Sequence, residues 1–206
     1  MSFYDVVVST DHDTTEHNIG EIVNKFSSKM RERKKLPLKK VSILVTGKRG
    51  VGKKCMIERY VNPMGYPNYS PTVRLGFRQK KKLIEGGGEF DVFLWHPIRP
   101  LIDARIIKFI QCVIFVFDTT NRTSFEGIPE LIRKVRQESS FPDKIVMMIV
   151  GNKIDLRHAR TVSKKEASDL AGVHKCKYKE VSSLTNEGII YLFDEVVELI
   201  LLTHSV

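Results

Sequence analysis

The sequence predicts an α/β domain, a mostly parallel six-stranded sheet with helices on both faces, preceded by an N-terminal amphipathic helix. Three observations lead there. From Val41 onward, short apolar runs alternate with polar turns and helix-periodic stretches. Two of those runs, Cys112–Asp118 (CVIFVFD) and Ile145–Gly151 (IVMMIVG), are apolar without alternation, as strands are when helices cover both faces of a sheet. Gly86-Gly87-Gly88 joins two strand-like segments and predicts a hairpin, hence one antiparallel edge.

Before Val41 the pattern differs. Phe3–Val8 has strand composition, and Ile19, Ile22, Val23, Phe26 and Met30 recur at helical spacing, which predicts an amphipathic helix over about residues 15–33. Pro37 and a basic run close it, so residues 1–40 read as an extension and residues 41–206 as the domain. Within the domain, strands are expected at Val41–Thr46, Val73–Glu85, Glu89–His96, Cys112–Asp118, Ile145–Gly151 and Lys177–Ser182. Helices are expected near 53–61, 101–110, 123–138, 163–172 and 186–203.

Composition is that of an ordinary globular chain: 206 residues, 42% hydrophobic and 28% charged, enough for one sizeable core. There is no apolar run of membrane-spanning length and no leading signal-peptide pattern. Cys55, Cys112 and Cys176 are scattered and show no zinc spacing, so reduced core thiols in a cytoplasmic protein are expected. The net charge of +10 points to an anionic partner. It concentrates in Met30–Lys40 (MRERKKLPLKK) and Arg78–Lys82 (RQKKK), where solvated surface charge is the competing explanation. The second run falls on an expected strand edge, where lysines also discourage edge pairing. No RNA- or DNA-reading motif accompanies the charge, so nucleic acid is not an expected partner.

The first chemistry-bearing motif follows the strand VSILVT: Gly47-Lys48-Arg49-Gly50-Val51-Gly52-Lys53-Lys54, then a helix. This is GxxxxGK between strand and helix. Glycines let successive N–H groups turn inward on phosphate oxygens, the helix N-terminus adds positive charge, and Lys53 can reach the β- and γ-phosphates. Three fixed letters arise by chance in roughly 6% of chains this long, and a glycine-rich turn without ligand is the plain alternative. The strand-to-helix setting favours phosphate. One letter departs: Lys54 stands where Ser or Thr gives a hydroxyl to Mg2+, and an ammonium cannot coordinate a cation.

The second motif, Asn152-Lys153-Ile154-Asp155, ends the apolar run IVMMIVG. An NKxD sequence there presents a carboxylate to the ring and exocyclic nitrogens of guanine, whereas adenine lacks that exocyclic donor. Charge-assisted bonds of about 1.5–3 kcal/mol each discriminate strongly. Lys153 can lie along the base, and Asn152 can tie this loop to the phosphate loop. Chance gives NKxD in roughly 3% of chains, so both motifs in order make coincidence an unattractive account.

On these residues the chain resembles the Ras superfamily of small GTPases over about residues 41–203, which would make it a P-loop NTPase G domain. Tyr69-Ser70-Pro71-Thr72 is similar to the first-switch YxPT, at the family's spacing from Lys53. Val116–Phe125 (VFDTTNRTSF) resembles the Rab stretch after the fourth strand, and Glu180-Val181-Ser182-Ser183-Leu184 resembles the last base-contacting loop, with Leu184 in place of its lysine. The resemblance implies a site for GTP or GDP. Gly47, Lys48, Arg49, Gly50, Val51, Gly52, Lys53, Lys54 and Cys55 would meet phosphate, with Tyr69 and Thr72 in the switch. Asn152, Lys153, Asp155, Ser182, Ser183 and Leu184 would meet the base. Thr72 is the one candidate metal ligand.

The departures bear on mechanism. The family's DxxGQ aligns with His96-Pro97-Ile98-Arg99-Pro100. His96 then replaces the aspartate that holds Mg2+ through water, Arg99 the glycine at the γ-phosphate, and Pro100 the glutamine that orients the attacking water. Taking Asp91 as that aspartate would cut the third strand to almost nothing. Arg49 occupies a position where side chains obstruct assisted hydrolysis. No catalytic residue is therefore assigned, Mg2+ coordination is in doubt, and little or no GTP hydrolysis is expected. Three readings stand: a regulatory guanine-nucleotide binder in which Lys54, Arg49 and Arg99 stand in for the metal; a nucleotide-free pseudo-GTPase scaffold; and an active GTPase with unconventional groups at Arg49 or His96.

For partners, the resemblance implies effector or complex-forming proteins. The sequence ends Leu202-Thr203-His204-Ser205-Val206 without a cysteine, so no prenyl anchor is expected. The basic amphipathic segment 15–40 suits docking on protein or peripheral contact with anionic membrane. The N-terminal helix, the missing prenyl cysteine and the altered second switch resemble one divergent branch, the Rem- and Rab-like small GTPase of the ciliary planar-polarity effector complex. That would imply vesicle trafficking or cilium assembly at the cilium base.

Overall fold

The computed structural model describes residues 40–64, 76–84, 88–97 and 104–204. Outside the described residues lie the expected N-terminal helix and basic segment 15–39, Tyr69 and Thr72 of the first switch, Gly86 and Gly87 of the hairpin, Arg99 and Pro100, and the last two residues.

The apolar runs form one six-stranded sheet: β1 (Lys40–Thr46), β2 (Gly76–Ile84), β3 (Gly88–His96), β4 (Cys112–Asp118), β5 (Val146–Asn152) and β6 (Lys177–Glu180). Their order is β2-β3-β1-β4-β5-β6. Only the β2–β3 pair is antiparallel; every other pair is parallel, as the hairpin and the crossover helices dictate. The direction of winding changes at β1, so a crevice opens beyond the carboxyl ends of β1, β3 and β4, where ligands sit in open α/β sheets.

The helices are α1 (Lys53–Val61), α2 (Ala104–Ile107), α3 (Arg122–Glu126), α4 (Ile128–Glu138), α5 (Lys164–Val173) and α6 (Ile189–His204). Met56, Ile57 and Tyr60 of α1 and Phe193, Val196 and Val197 of α6 share one core with Val41, Ile43 and Val45 of β1. Tyr60 and Phe193 stack at 4.3 Å between centroids. On the other face α4 buries Leu131, Ile132 and Val135 and contacts β4. Every residue of β4 is buried, which accounts for its unbroken apolar run. Ser163 caps α5 by accepting from the Glu166 N–H, as its S-x-x-E sequence dictates.

Four expectations change in detail. The helix over 123–138 is two helices, because Pro129 has no N–H to continue the ladder across Gly127. The described part of the 101–110 helix is a single turn, Ala104–Ile107. β6 stops at Glu180, and α6 begins only at Ile189, after a turn through Asn186 at φ 68. Of the cysteines, only Cys112 is fully buried; Cys55 and Cys176 are half-buried, and all three are free thiols.

In the basic run Arg78–Lys82, three of the four cations pair with carboxylates of the domain and the fourth, Lys80, bonds a backbone carbonyl. Arg78 pairs with Glu58 of α1 at 2.6 Å, and Lys82 pairs with Asp194 of α6. Lys80 donates to the Tyr60 carbonyl at 2.5 Å and lies 4.1 Å above the Tyr60 ring. Lys81, on the opposite face, pairs with Glu89 at 2.5 Å. Alternation along β2 thus sends three cations onto the helices and one across the hairpin. β2 is the outer strand of the described sheet, where the lysines also blunt an edge.

Candidate nucleotide site

The loop between β1 and α1 is shaped by close approach. Gly52 has φ 95, and a Cβ there would lie 2.2 Å from the Asn152 amide nitrogen, so only glycine lets the loop meet β5. Lys53 begins α1 and is buried; its ammonium donates to the Gly47 carbonyl at 2.7 Å and the Lys48 carbonyl at 2.9 Å. Burial pulls its pKa down to about 8. A desolvated cation held only by carbonyls gains strongly from an incoming anion. Lys48, Arg49 and Gly50 are exposed, Val51 is buried, and Lys54 and Cys55 are half-buried.

The loops after β5 and β6 are joined through Asn152, which is fully buried. Its amide donates to the Val51 carbonyl at 2.8 Å and to Ser183 Oγ at 3.0 Å, while its oxygen accepts the Ser183 N–H at 3.0 Å. One side chain therefore ties its own loop to the phosphate loop, as expected from sequence, and also to the loop after β6. Ser182 Oγ donates to Asp155 Oδ1 at 2.5 Å and accepts the Thr185 N–H at 3.1 Å, which sets the carboxylate's orientation. Leu184, in place of a lysine, is exposed.

Lys153 takes φ 66, a left-handed conformation uncommon outside glycine. Its carbonyl accepts from Thr119 Oγ1 at 3.3 Å, and its ammonium pairs with Asp118 Oδ2 at 2.6 Å. Burial alone would raise the Asp118 pKa, but hydrogen bonds from Lys153 and Thr120 outweigh it and hold the carboxylate below its usual range. Asp118 and Arg59 are site-shaping residues absent from the sequence-derived set. The signal for both was a charge inside a buried pattern: Asp118 ends an apolar strand, and Arg59 interrupts the buried face Met56-Ile57-Tyr60.

At the end of β3 the site has a different character. Register pairs Leu44 of β1 with Trp95, and Lys40 with Asp91, so Asp91 lies at the far end of the strand and His96 at the crevice. His96 is 2% exposed, and its ring lies flat on Gly76, where a Cβ would come within 1.9 Å of two imidazole atoms. Burial, then the charges of Arg78, Lys53 and Lys54, pull its pKa down to about 3, so it is a neutral ring at neutral pH. The family's Mg2+ would need a hydroxyl at Lys54 and a carboxylate at His96. The chain offers an ammonium and a buried imidazole with cations around it. Lys54 and His96 therefore offer magnesium no oxygen ligand, and Thr72, the candidate metal ligand, lies outside the described residues.

A mostly parallel sheet with a glycine-rich strand-to-helix loop and an NKxD loop at its carboxyl edge defines a P-loop nucleotide-binding domain. The Ras family profile matches residues 42–202. The chain is 31% identical over 171 residues to Ras-related protein Rab-18 of Caenorhabditis briggsae, covering 81% of this chain and 83% of that protein. Rab-18 of Caenorhabditis elegans matches over the same shares. Human Ras-related protein Rab-30 is 28% identical over 155 residues, 73% of this chain and 75% of its own length. The chain belongs to the Ras family and is a divergent, Rab-like small GTPase. Guanine-nucleotide binding is the property that family membership brings. Among the described residues no helix is long and apolar enough to cross a membrane.

Proposed function

We propose that this chain is a regulatory guanine-nucleotide binder that holds GTP or GDP without requiring Mg2+ and hydrolyses GTP slowly or not at all. The carrying observation is the pairing of an assembled base-reading side, with Asp155 oriented by Ser182 and Asn152 joining three loops, to a metal side where Lys54 and the buried His96 replace oxygen ligands. Phosphate would lie on Gly47–Cys55, with Lys53 leaving its two carbonyls for the β- and γ-phosphates. Lys54 and Arg49 supply fixed charge where a metal would, at a partly desolvated site where such charges are effective. Tyr69 and Thr72 would complete the switch, and Lys153, Ser183 and Leu184 would border the base. Residues 41–206 form the nucleotide-binding domain in this reading, and residues 1–40 form an extension for protein or anionic-membrane contact.

Its role would be that of a regulatory or adaptor subunit in trafficking or cilium assembly. The support is the motif resemblance together with its Rab-like relatives. One observation favours a nucleotide-free scaffold as the second reading: Lys53 is already bonded to carbonyls of its own loop. The test is single-turnover phosphate release from GTP-loaded protein, with and without Mg2+. Stable loading with release no faster than spontaneous hydrolysis supports the proposal. Rapid release, or failure to load, refutes it. In Lys54→Ser with His96→Asp, loading should become Mg2+-dependent.

A further inference from the structure

We infer that Arg59 is a positioning residue for base recognition, holding the last loop so that Asp155 meets the exocyclic amine of guanine. This rests on the guanine-binding reading above. Arg59 lies on α1, more than a turn beyond Lys53, and is 9% exposed. Its Nε donates to the Ser183 carbonyl at 3.2 Å and its Nη2 to the Leu184 carbonyl at 2.7 Å. A planar guanidinium can span two successive carbonyls; an ammonium has no such fork.

The loop it grips has Leu184 where the resemblance expects a lysine, so that side chain brings no donor to the base. The loop's contribution is then where it puts its backbone and Ser182. Ser182 Oγ in turn fixes Asp155 Oδ1 at 2.5 Å. The chain of contacts runs from α1 through Arg59 to Ser183 and Leu184, and through their neighbour Ser182 to the carboxylate. The same α1 starts at Lys53, so phosphate and base recognition share one rigid element. Releasing Arg59 removes the anchor at the Leu184 end of a loop that Asn152 still holds at Ser183, and so loosens the seat of Ser182 and of the Asp155 carboxylate.

The test compares the Kd of GDP with that of inosine diphosphate, which lacks the exocyclic amine, in wild type, Arg59→Lys and Arg59→Gln. All are measured below each protein's melting temperature. For Arg59→Gln, GDP affinity should fall about tenfold, the equivalent of one good hydrogen bond. Inosine diphosphate affinity should fall less, so the discrimination ratio contracts, and Arg59→Lys should lie between. A stabilising role alone would lower the melting temperature and leave the ratio unchanged. An unchanged ratio in both variants overturns the positioning role while leaving guanine binding intact. Wild type that binds neither nucleotide overturns the guanine-binding reading itself.

Discussion

Two regions share the carboxyl edge of one sheet and differ in how they are built. The loops after β5 and β6 are held by two pairs of hydrogen-bonded residues, Asn152 with Ser183 and Ser182 with Asp155, and Asn152 also reaches the Val51 carbonyl. The end of β3 and the start of α1 are built otherwise, with Lys53 bonded to the Gly47 and Lys48 carbonyls. There a buried imidazole lies on a glycine beside Lys53 and Lys54. Base reading depends on directional hydrogen bonds, which tolerate no substitution of donor for acceptor. Compensation of phosphate charge asks only for positive charge nearby, and ammonium groups can supply it. The region with the stricter chemistry matches its family's motif, and the region with the looser chemistry departs from it.

The largest effect should come from breaking the bonds of Asn152 to Val51 and Ser183. Asn152→Ala leaves the Val51 carbonyl and both polar groups of Ser183 without this partner. It should lower unfolding free energy by about 3 kcal/mol in urea titration and abolish nucleotide retention. Next, Asp155→Asn turns one of the two carboxylate oxygens proposed to accept from guanine into a donating amide nitrogen. GDP affinity should drop about 100-fold and the preference should move toward xanthosine diphosphate, read by competition binding. An unchanged preference would mean that Asp155 does not face the base.

Smaller effects should come from the rebuilt region. Gly76→Ala puts a methyl into the His96 ring and should cost about 1–3 kcal/mol. Combined with His96→Ala it should cost less than the sum of the two, so a double-mutant cycle reads the fit directly. The last effect, confined to acid conditions, is on the pH dependence of stability. The folded pKa of His96, about 3, lies below its ordinary 6.5, so the unfolded chain takes up the proton first. Its contribution is complete above pH 6.5 and is lost as pH falls toward 3. His96→Phe, which keeps a flat ring over Gly76, should flatten the stability profile in that window.

Most of the fold was legible because the apolar runs and their punctuation are local signals. The strand CVIFVFD and the glycine loop read directly. The break at Gly127 was less visible, since Pro129 lies at the start of a helical pattern that otherwise continues. The basic run Arg78–Lys82 could not be read alone. Whether lysines are free depends on Glu58, Tyr60 and Asp194, which reach them only through the packing of α1 and α6. Arg59 was hidden for the same reason: its partners, Ser183 and Leu184, are far along the chain. His96 was placed correctly as the end of β3, but its fit against Gly76 is a cross-strand property that appears only with the register.

The central claim is a guanine site that holds nucleotide without magnesium. It is tested most directly by purifying the protein without added nucleotide, treating it with EDTA, denaturing it and identifying what is released by chromatography. About one GTP or GDP per chain is expected, unchanged by EDTA. Nucleotide lost on chelation as readily as from an ordinary Ras protein, or a chain that comes out empty and takes up no added GTP, would contradict it.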